Sequence, residues 1–179
     1  MMFVFLAEGF EEIEAISAVD VLRRAGLPVT TVGIGGEYVT GSHGVTVKAD
    51  ILPDGVDISK ALAVVLPGGM PGTLNLDASP EVQSAIDYCA GHGILIAAIC
   101  AAPTILARKG LLEGKPATVS PGFKAQMPGA ELSGNPVVEA GNFITAIGAG
   151  VTIEFALRIV TRLLGGDIAE KLRRELRCR

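Results

Sequence analysis

Ile94-Leu95-Ile96-Ala97-Ala98-Ile99-Cys100-Ala101-Ala102-Pro103 is the most hydrophobic strand candidate of the chain, and its reading decides the fold. Six apolar residues in a row fit a strand buried on both faces. The small residues after them permit a sharp turn, and Ala101–Lys109 then reads as a helix closed by Gly110. The same alternation repeats outward from this centre. Ala63–Leu66 is a short apolar run that stops at Pro67-Gly68-Gly69. Ser79-Pro80-Glu81 sets a capping residue ahead of a proline, which predicts a helix running to Ala90 and ending at Gly91.

Nearer the start, Phe3–Leu6 reads as a buried strand and Val29–Gly33 as a second one. Between them, residues 11–25 have helical periodicity, with Glu14, Ala18, Val21, Leu22 and Ala25 on one face and Gly26 at the C-cap. Residues 35–50, with Gly35-Gly36, Gly41 and Gly44 around Val45-Thr46-Val47, suggest a turn and a small edge strand or hairpin. Past the centre, Val137–Val138 and Phe143–Ile147 are strand candidates. Thr152–Leu164 is an amphipathic helix and Asp167–Arg177 a charge-rich last one. Strands alternating with helices predict a single α/β sandwich over residues 1–179, a mostly parallel sheet with helices on both faces.

The composition agrees. The 179 residues are 49% hydrophobic and 19% charged, enough to bury a core. Fifteen basic against 19 acidic residues give −4, with no basic arm and no Trp, which argues against nucleic acid as a partner. The longest apolar run, Gly93 to Ala107, falls short of the roughly 20 residues that cross a membrane, and Pro103 interrupts it. Met1–Leu6 has no basic flank and is followed by Glu8, Glu11 and Glu12, so it reads as a first strand rather than a signal peptide. Cys89, Cys100 and Cys178 form an odd set without CxxC or metal-ligand spacing. Reduced thiols in the cytoplasm, and no metal, are the expectation.

In such sheets, ligands gather outside the carboxyl ends of the strands. Cys100 lies there, where a strand meets a helix among small residues, as a nucleophile elbow requires. The positive end of a helix dipole would lower its pKa. Equally, a cysteine after a buried strand can be plain packing, and position alone leaves both open. Gly68 and Gly69 could turn backbone N–H groups toward an oxyanion, although most such turns are structural. Glu14 sits on the apolar stripe of its helix, either solvated, capping, or buried. Buried without a cation, it would have a raised pKa and could donate a hydrogen bond. Glu11, on a similar face, is its rival.

Taken together, the segments resemble the ThiJ/PfpI superfamily, and within it the DJ-one branch. The likeness rests on Glu8-Gly9-Phe10-Glu11-Glu12-Ile13-Glu14, Asp20-Val21-Leu22-Arg23-Arg24-Ala25-Gly26 and Val65-Leu66-Pro67-Gly68-Gly69. Ala97-Ala98-Ile99-Cys100-Ala101-Ala102-Pro103-Thr104 and Glu154-Phe155-Ala156-Leu157 complete it. The resemblance implies a flavodoxin-like fold, a homodimer, and no cofactor. It makes Cys100 the reactive cysteine and Glu14 the acid hydrogen-bonded to its sulfur, with Gly68, Gly69 and Ala101 offering backbone N–H groups. It places Arg24 near the site and His43 where relatives carry an arginine reaching the neighbouring subunit. Where that branch has a histidine near the cysteine, Thr118-Val119-Ser120-Pro121 offers Ser120 and Pro121.

Ala101 stands where the protease-like branch has its histidine, and both His43 and His92 precede Cys100. A Cys-His protease and a glutamine amidotransferase are therefore disfavoured. Two functions remain. One is an enzyme in which thiolate Cys100, assisted by Glu14, acts on small dicarbonyl aldehydes or glycated substrates. The other is a redox-sensing stress protein or chaperone whose Cys100 is oxidised to a sulfinate.

Overall fold

Alternate residues of β1 (Met2–Ala7) feed two separate hydrophobic layers. Met2, Val4 and Leu6 join one cluster, and Phe3, Phe5 and Ala7 the other. That is how a strand covered on both faces is built. The computed structural model describes residues 1–178; Arg179, the end of the expected domain, lies outside the described residues.

After β1 come α1 (Glu12–Arg24), β2 (Val29–Ile34) and a small hairpin, β3 (Tyr38–Thr40) with β4 (Thr46–Lys48). Next follow β5 (Ala63–Leu66), α2 (Gly72–Ala78), α3 (Pro80–Gly91), β6 (Leu95–Ile99) and α4 (Pro103–Arg108). Two short strands, β7 (Pro116–Ala117) and β8 (Glu131–Leu132), pair with each other. The chain closes with β9 (Val137–Ala140), β10 (Phe143–Ala146), α5 (Thr152–Leu164) and α6 (Gly166–Glu175). The main sheet has the order β2-β1-β5-β6-β10-β9. Its first five strands are parallel, and β9 runs antiparallel at the edge.

The expected sandwich is present, with helices on both faces. α1 and α5 cover one, through Ala18, Leu22, Phe155 and Ile159; α3 and α4 cover the other, through Ile86, Ile105 and Leu106. Local signals act as read. Ser79 caps α3 by accepting the Val82 N–H at 3.3 Å, and Pro80 takes the first helical position. Past the end of α1, Gly26 has φ +79°.

Besides the short pair β7 and β8, three features differ from expectation. α2 was not anticipated; no side chain caps it, and only Gly72, Thr73 and Leu76 are buried. The helix after Cys100 starts at Pro103 instead of Ala101 and has only six residues. The 137–147 region is a hairpin turning at Gly141-Asn142, which reverses the edge strand.

Candidate active site

Parallel order brings the carboxyl ends of β1, β5 and β6 to one edge, with the start of α1 above them. Cys100, the first residue beyond β6, has φ +64°, a left-handed conformation that costs a side-chain-bearing residue about 1–2 kcal/mol. The surroundings enforce it. Cys100 N–H donates to the Ala146 carbonyl at 2.8 Å, and the Cys100 carbonyl accepts the Ser120 N–H at 2.8 Å. The residue is half-buried, whereas Cys89 is fully buried, packs in α3, and is pushed up to about 11 by burial alone.

Glu14 meets the elbow from α1. It is 1% exposed, its Oε2 accepts the Gly68 N–H at 2.8 Å, and its Oε1 has no hydrogen-bond partner among the described residues. Gly68 makes this meeting possible. A Cβ there would stand 2.7 Å from both Cys100 Cβ and Glu14 Oε2, so any side chain would separate them. The Gly68 N–H is thus committed to Glu14. Gly69 and Ala101 are the expected donors placed otherwise; the Ala101 N–H reaches the Cys100 sulfur.

Burial raises Glu14 to about 7, against the pull of the Gly68 N–H and the thiol, and the charge of Glu11 adds to the rise. Burial also pushes the Cys100 thiol up, with an ionised Glu14 raising it further, to about 12, while the Ala101 N–H and Ser120 hydroxyl oppose this. The helix dipole expected to lower the thiol is weak here, because α4 is a six-residue helix starting beyond the elbow. Protonating Glu14 removes the charge repulsion and turns the carboxyl into a donor toward sulfur. The two groups therefore titrate as a coupled pair, with Glu14 exchanging its proton near neutral pH and the thiol losing its own well above it.

Ser120 lies beside the sulfur, and Pro121 opens an exposed 3₁₀ turn, Pro121–Gln126. Arg24 is not brought to the site: it is exposed at the far end of α1 and paired with Asp20 at 2.7 Å. Ten residues separate it from Glu14, roughly 15 Å of helix. His43 is 73% exposed on the β3–β4 loop, and its Nδ1 lies 2.9 Å from Glu12 Oε2. Despite burial, hydrogen bonds from His43 and Val45 hold Glu12 down at about 2. Glu11, Glu12 and His43 bring ligand-type atoms within 4.8 Å, but these atoms mostly serve to tie the loop to α1. Gly148 was missed, although it follows β10 at the ligand-binding edge; a Cβ there would stand 4.0 Å from the sulfur.

Gly69 locks the site's two loops together. Its φ is +93°, and a Cβ would stand 2.4 Å from Glu11 N and 2.5 Å from the Gly9 carbonyl oxygen. At Gly26, φ is +79° and a Cβ would meet nothing within 4 Å among the described residues. Gly26→Ala should cost about 1 kcal/mol for backbone strain alone, and Gly69→Ala about 3 kcal/mol or more because backbone must also move. Urea unfolding of the two variants checks this, and equal losses would refute the interlock.

A flavodoxin-like sandwich carrying a cysteine on a strained elbow, with a buried carboxyl at its sulfur, defines the class of protein. The DJ-1/PfpI family pattern matches residues 2–162. The chain is 42% identical over 176 residues to protein dj-1beta of Drosophila melanogaster, covering 97% of this chain and 94% of that one. It is 33% identical over 171 residues to a Caenorhabditis elegans protein named glutathione-independent glyoxalase DJR-1.2, covering 94% and 91%. The solved structure of oxidized Toxoplasma gondii DJ-1 superposes with a TM-score of 0.94 at 36% identity, covering 98% and 96%. The chain belongs to the DJ-1/PfpI family.

Proposed function

We propose that this chain is a glutathione-independent glyoxalase acting on small α-oxoaldehydes through Cys100 and Glu14. The observation that carries the proposal is a buried carboxyl, exchanging its proton near pH 7, set against the sulfur of the elbow cysteine. The Caenorhabditis elegans relative named for this activity supports it. The Cys100 thiolate adds to the aldehyde carbon of R–CO–CHO, and the oxyanion formed takes a proton to give a hemithioacetal. Ala101 and Gly69 would offer their backbone N–H groups to that oxygen. A base removes the hydrogen of the former aldehyde carbon, and a proton returns to the neighbouring carbon. This internal redox step makes a 2-hydroxyacyl thioester, and water then releases the 2-hydroxy acid and the thiol. Glu14, with proton affinity near neutral, suits the transfer. The same attack on aldehyde adducts of protein or nucleotide amines would make the chain a deglycase. The mechanism needs a reduced Cys100, which a reducing compartment such as the cytoplasm would maintain.

The test is methylglyoxal without glutathione, with lactate measured directly. Sustained lactate formation is expected, and its loss on prior alkylation of Cys100. Aldehyde consumption without lactate would overturn the reading and favour a second one, for which oxidation in the Toxoplasma gondii structure is the relevant likeness. In that case peroxide would take Cys100 to a sulfinate held by Glu14 and the elbow amides.

The active unit is proposed to be a homodimer. Ile13 and Ile16, a turn apart on α1, are 55% and 41% exposed, at the end of the molecule where His43 also projects. A sedimenting species of twice the chain mass is expected, reduced to single mass by Ile13→Glu.

A further inference from the structure

Glu11 closes a hydrogen-bonded ring with the two residues that hold the reactive pair together. Its carboxylate Oε2 accepts the Glu14 N–H at 2.7 Å as the N-cap of α1. Its own N–H donates to the Gly68 carbonyl at 3.0 Å, and the Gly68 N–H donates to Glu14 Oε2 at 2.8 Å. The peptide unit of Glu11 is further pinned by Gly69, which has no room for a Cβ against Glu11 N. One carboxylate therefore fixes the first turn of α1 and sits as a negative charge beside a second, buried carboxyl.

We propose that Glu11 is a positioning residue that aims the Glu14 carboxyl at Cys100 and, through its charge, sets the pH at which Glu14 exchanges its proton. The inference deepens the reading of Glu14 as the proton-transfer group and rests on it. A capping role alone would be filled as well by serine, which is at least as good an N-cap. A carboxylate there adds a like charge that favours the neutral form of Glu14, and the direction found for Glu14 agrees.

The other charged groups around Glu14 do not supply this effect. Cys100 faces it from the elbow as a thiol that burial pushes up, and so carries little charge near neutral pH. Glu12 and His43, from α1 and the β3–β4 loop, bind each other. On α5, which packs against α1, Glu154 is paired with Arg173 at 2.6 Å and Arg158 leans toward Glu139 at 3.8 Å. Among these groups of the described residues, Glu11 is the remaining charge that acts on the carboxyl, from its place at the Glu14 N–H.

The experiment follows the Glu14 carboxyl carbon by NMR against pH in glutamate-labelled protein, with Glu14→Gln identifying the signal. Glu11→Gln keeps the shape without the charge, and Glu11→Ser keeps the cap. In both, the Glu14 midpoint is expected to fall by about half a pH unit or more. The thiolate midpoint read from Cys100 alkylation should move the opposite way, upward, because a Glu14 that ionises earlier repels the thiolate sooner, and in a Glu14→Gln background the Glu11 substitutions should no longer move it. An unchanged Glu14 midpoint in both variants, even with a lowered melting temperature, would reduce Glu11 to a cap and overturn the proposal. Neither readout needs turnover. A shifted midpoint in a protein that makes no lactate would leave this inference standing and remove the glyoxalase reading.

Discussion

Lactate formation from methylglyoxal is expected to fall by roughly a thousandfold or more in Cys100→Ser, with the fold intact. Serine is nearly isosteric, and the hydrogen bonds that hold residue 100 in its left-handed conformation are made by its backbone to Ala146 and Ser120. What changes is the nucleophile, because a hydroxyl in this buried setting has no accessible anion near neutral pH. Cys89 is fully buried in α3 and Cys178 lies in the last residues of the chain, so Cys89→Ser and Cys178→Ser should leave lactate formation within about twofold of wild type. Product must be measured, since any thiol depletes the aldehyde by simple addition. Lactate formation within tenfold of wild type in Cys100→Ser would exclude the sulfur as the attacking atom.

The layers of this fold are legible because apolar runs are short and sharply bounded. Ala63–Leu66 ends at Pro67-Gly68-Gly69, and the turn after Ile99 consists of small residues. Elements without such boundaries are not legible. α2 begins at a glycine and has no capping side chain, and β7 and β8 are two residues each, too short for any period. The direction of β9 depends on the Gly141-Asn142 turn, which fixes a register that apolar content alone does not carry.

The site was visible in part for a similar reason. Glu14 breaks the apolar stripe of its own helix, and Cys100 breaks the most apolar run, so each stands out as an anomaly. Their pairing is a tertiary fact. It depends on β5 lying between β1 and β6, and on Gly68 leaving the space of a side chain between the two groups. The expected dipole effect on Cys100 fails because the helix starts at Pro103, and within the single chain Arg24 lies at the opposite end of α1 from Glu14. Glu11 stands out in the sequence only as a rival of Glu14, and Gly148 carries no signal as a single letter. Their roles come from the hydrogen-bonded ring and from the missing Cβ beside the sulfur.

Glu14→Leu and Glu14→Gln should both lower lactate formation by about a hundredfold or more, since neither side chain can carry a proton between carbons. They should differ in the cysteine. At neutral pH the resting site is expected to hold a protonated Glu14 beside a Cys100 that burial keeps largely as the thiol, with the carboxyl as donor to sulfur whenever the thiolate forms. Glutamine keeps a donor of nearly the same shape, so the Cys100 pKa should stay close to that of wild type. Leucine removes the donor, and the cysteine pKa should rise by about one unit if that hydrogen bond is worth roughly 1.5 kcal/mol. Thiolate absorbance against pH, in a background lacking Cys89 and Cys178, measures both. A fall in Glu14→Leu would mean that Glu14 rests as the anion, whose repulsion helps push the thiol to about 12, and would falsify the donor role. Stability gives an independent sign. A carboxyl raised from 4.5 to about 7 on folding stabilises the native state fully below pH 4.5 and loses that contribution as pH rises through 7. Wild type should therefore lose about 3 kcal/mol across this window, at 1.36 kcal/mol per unit, and Glu14→Gln should not. Parallel stability curves for the two proteins between pH 4.5 and 7 would mean that Glu14 is not held neutral by the fold, and the proton it is proposed to carry would have to come from elsewhere.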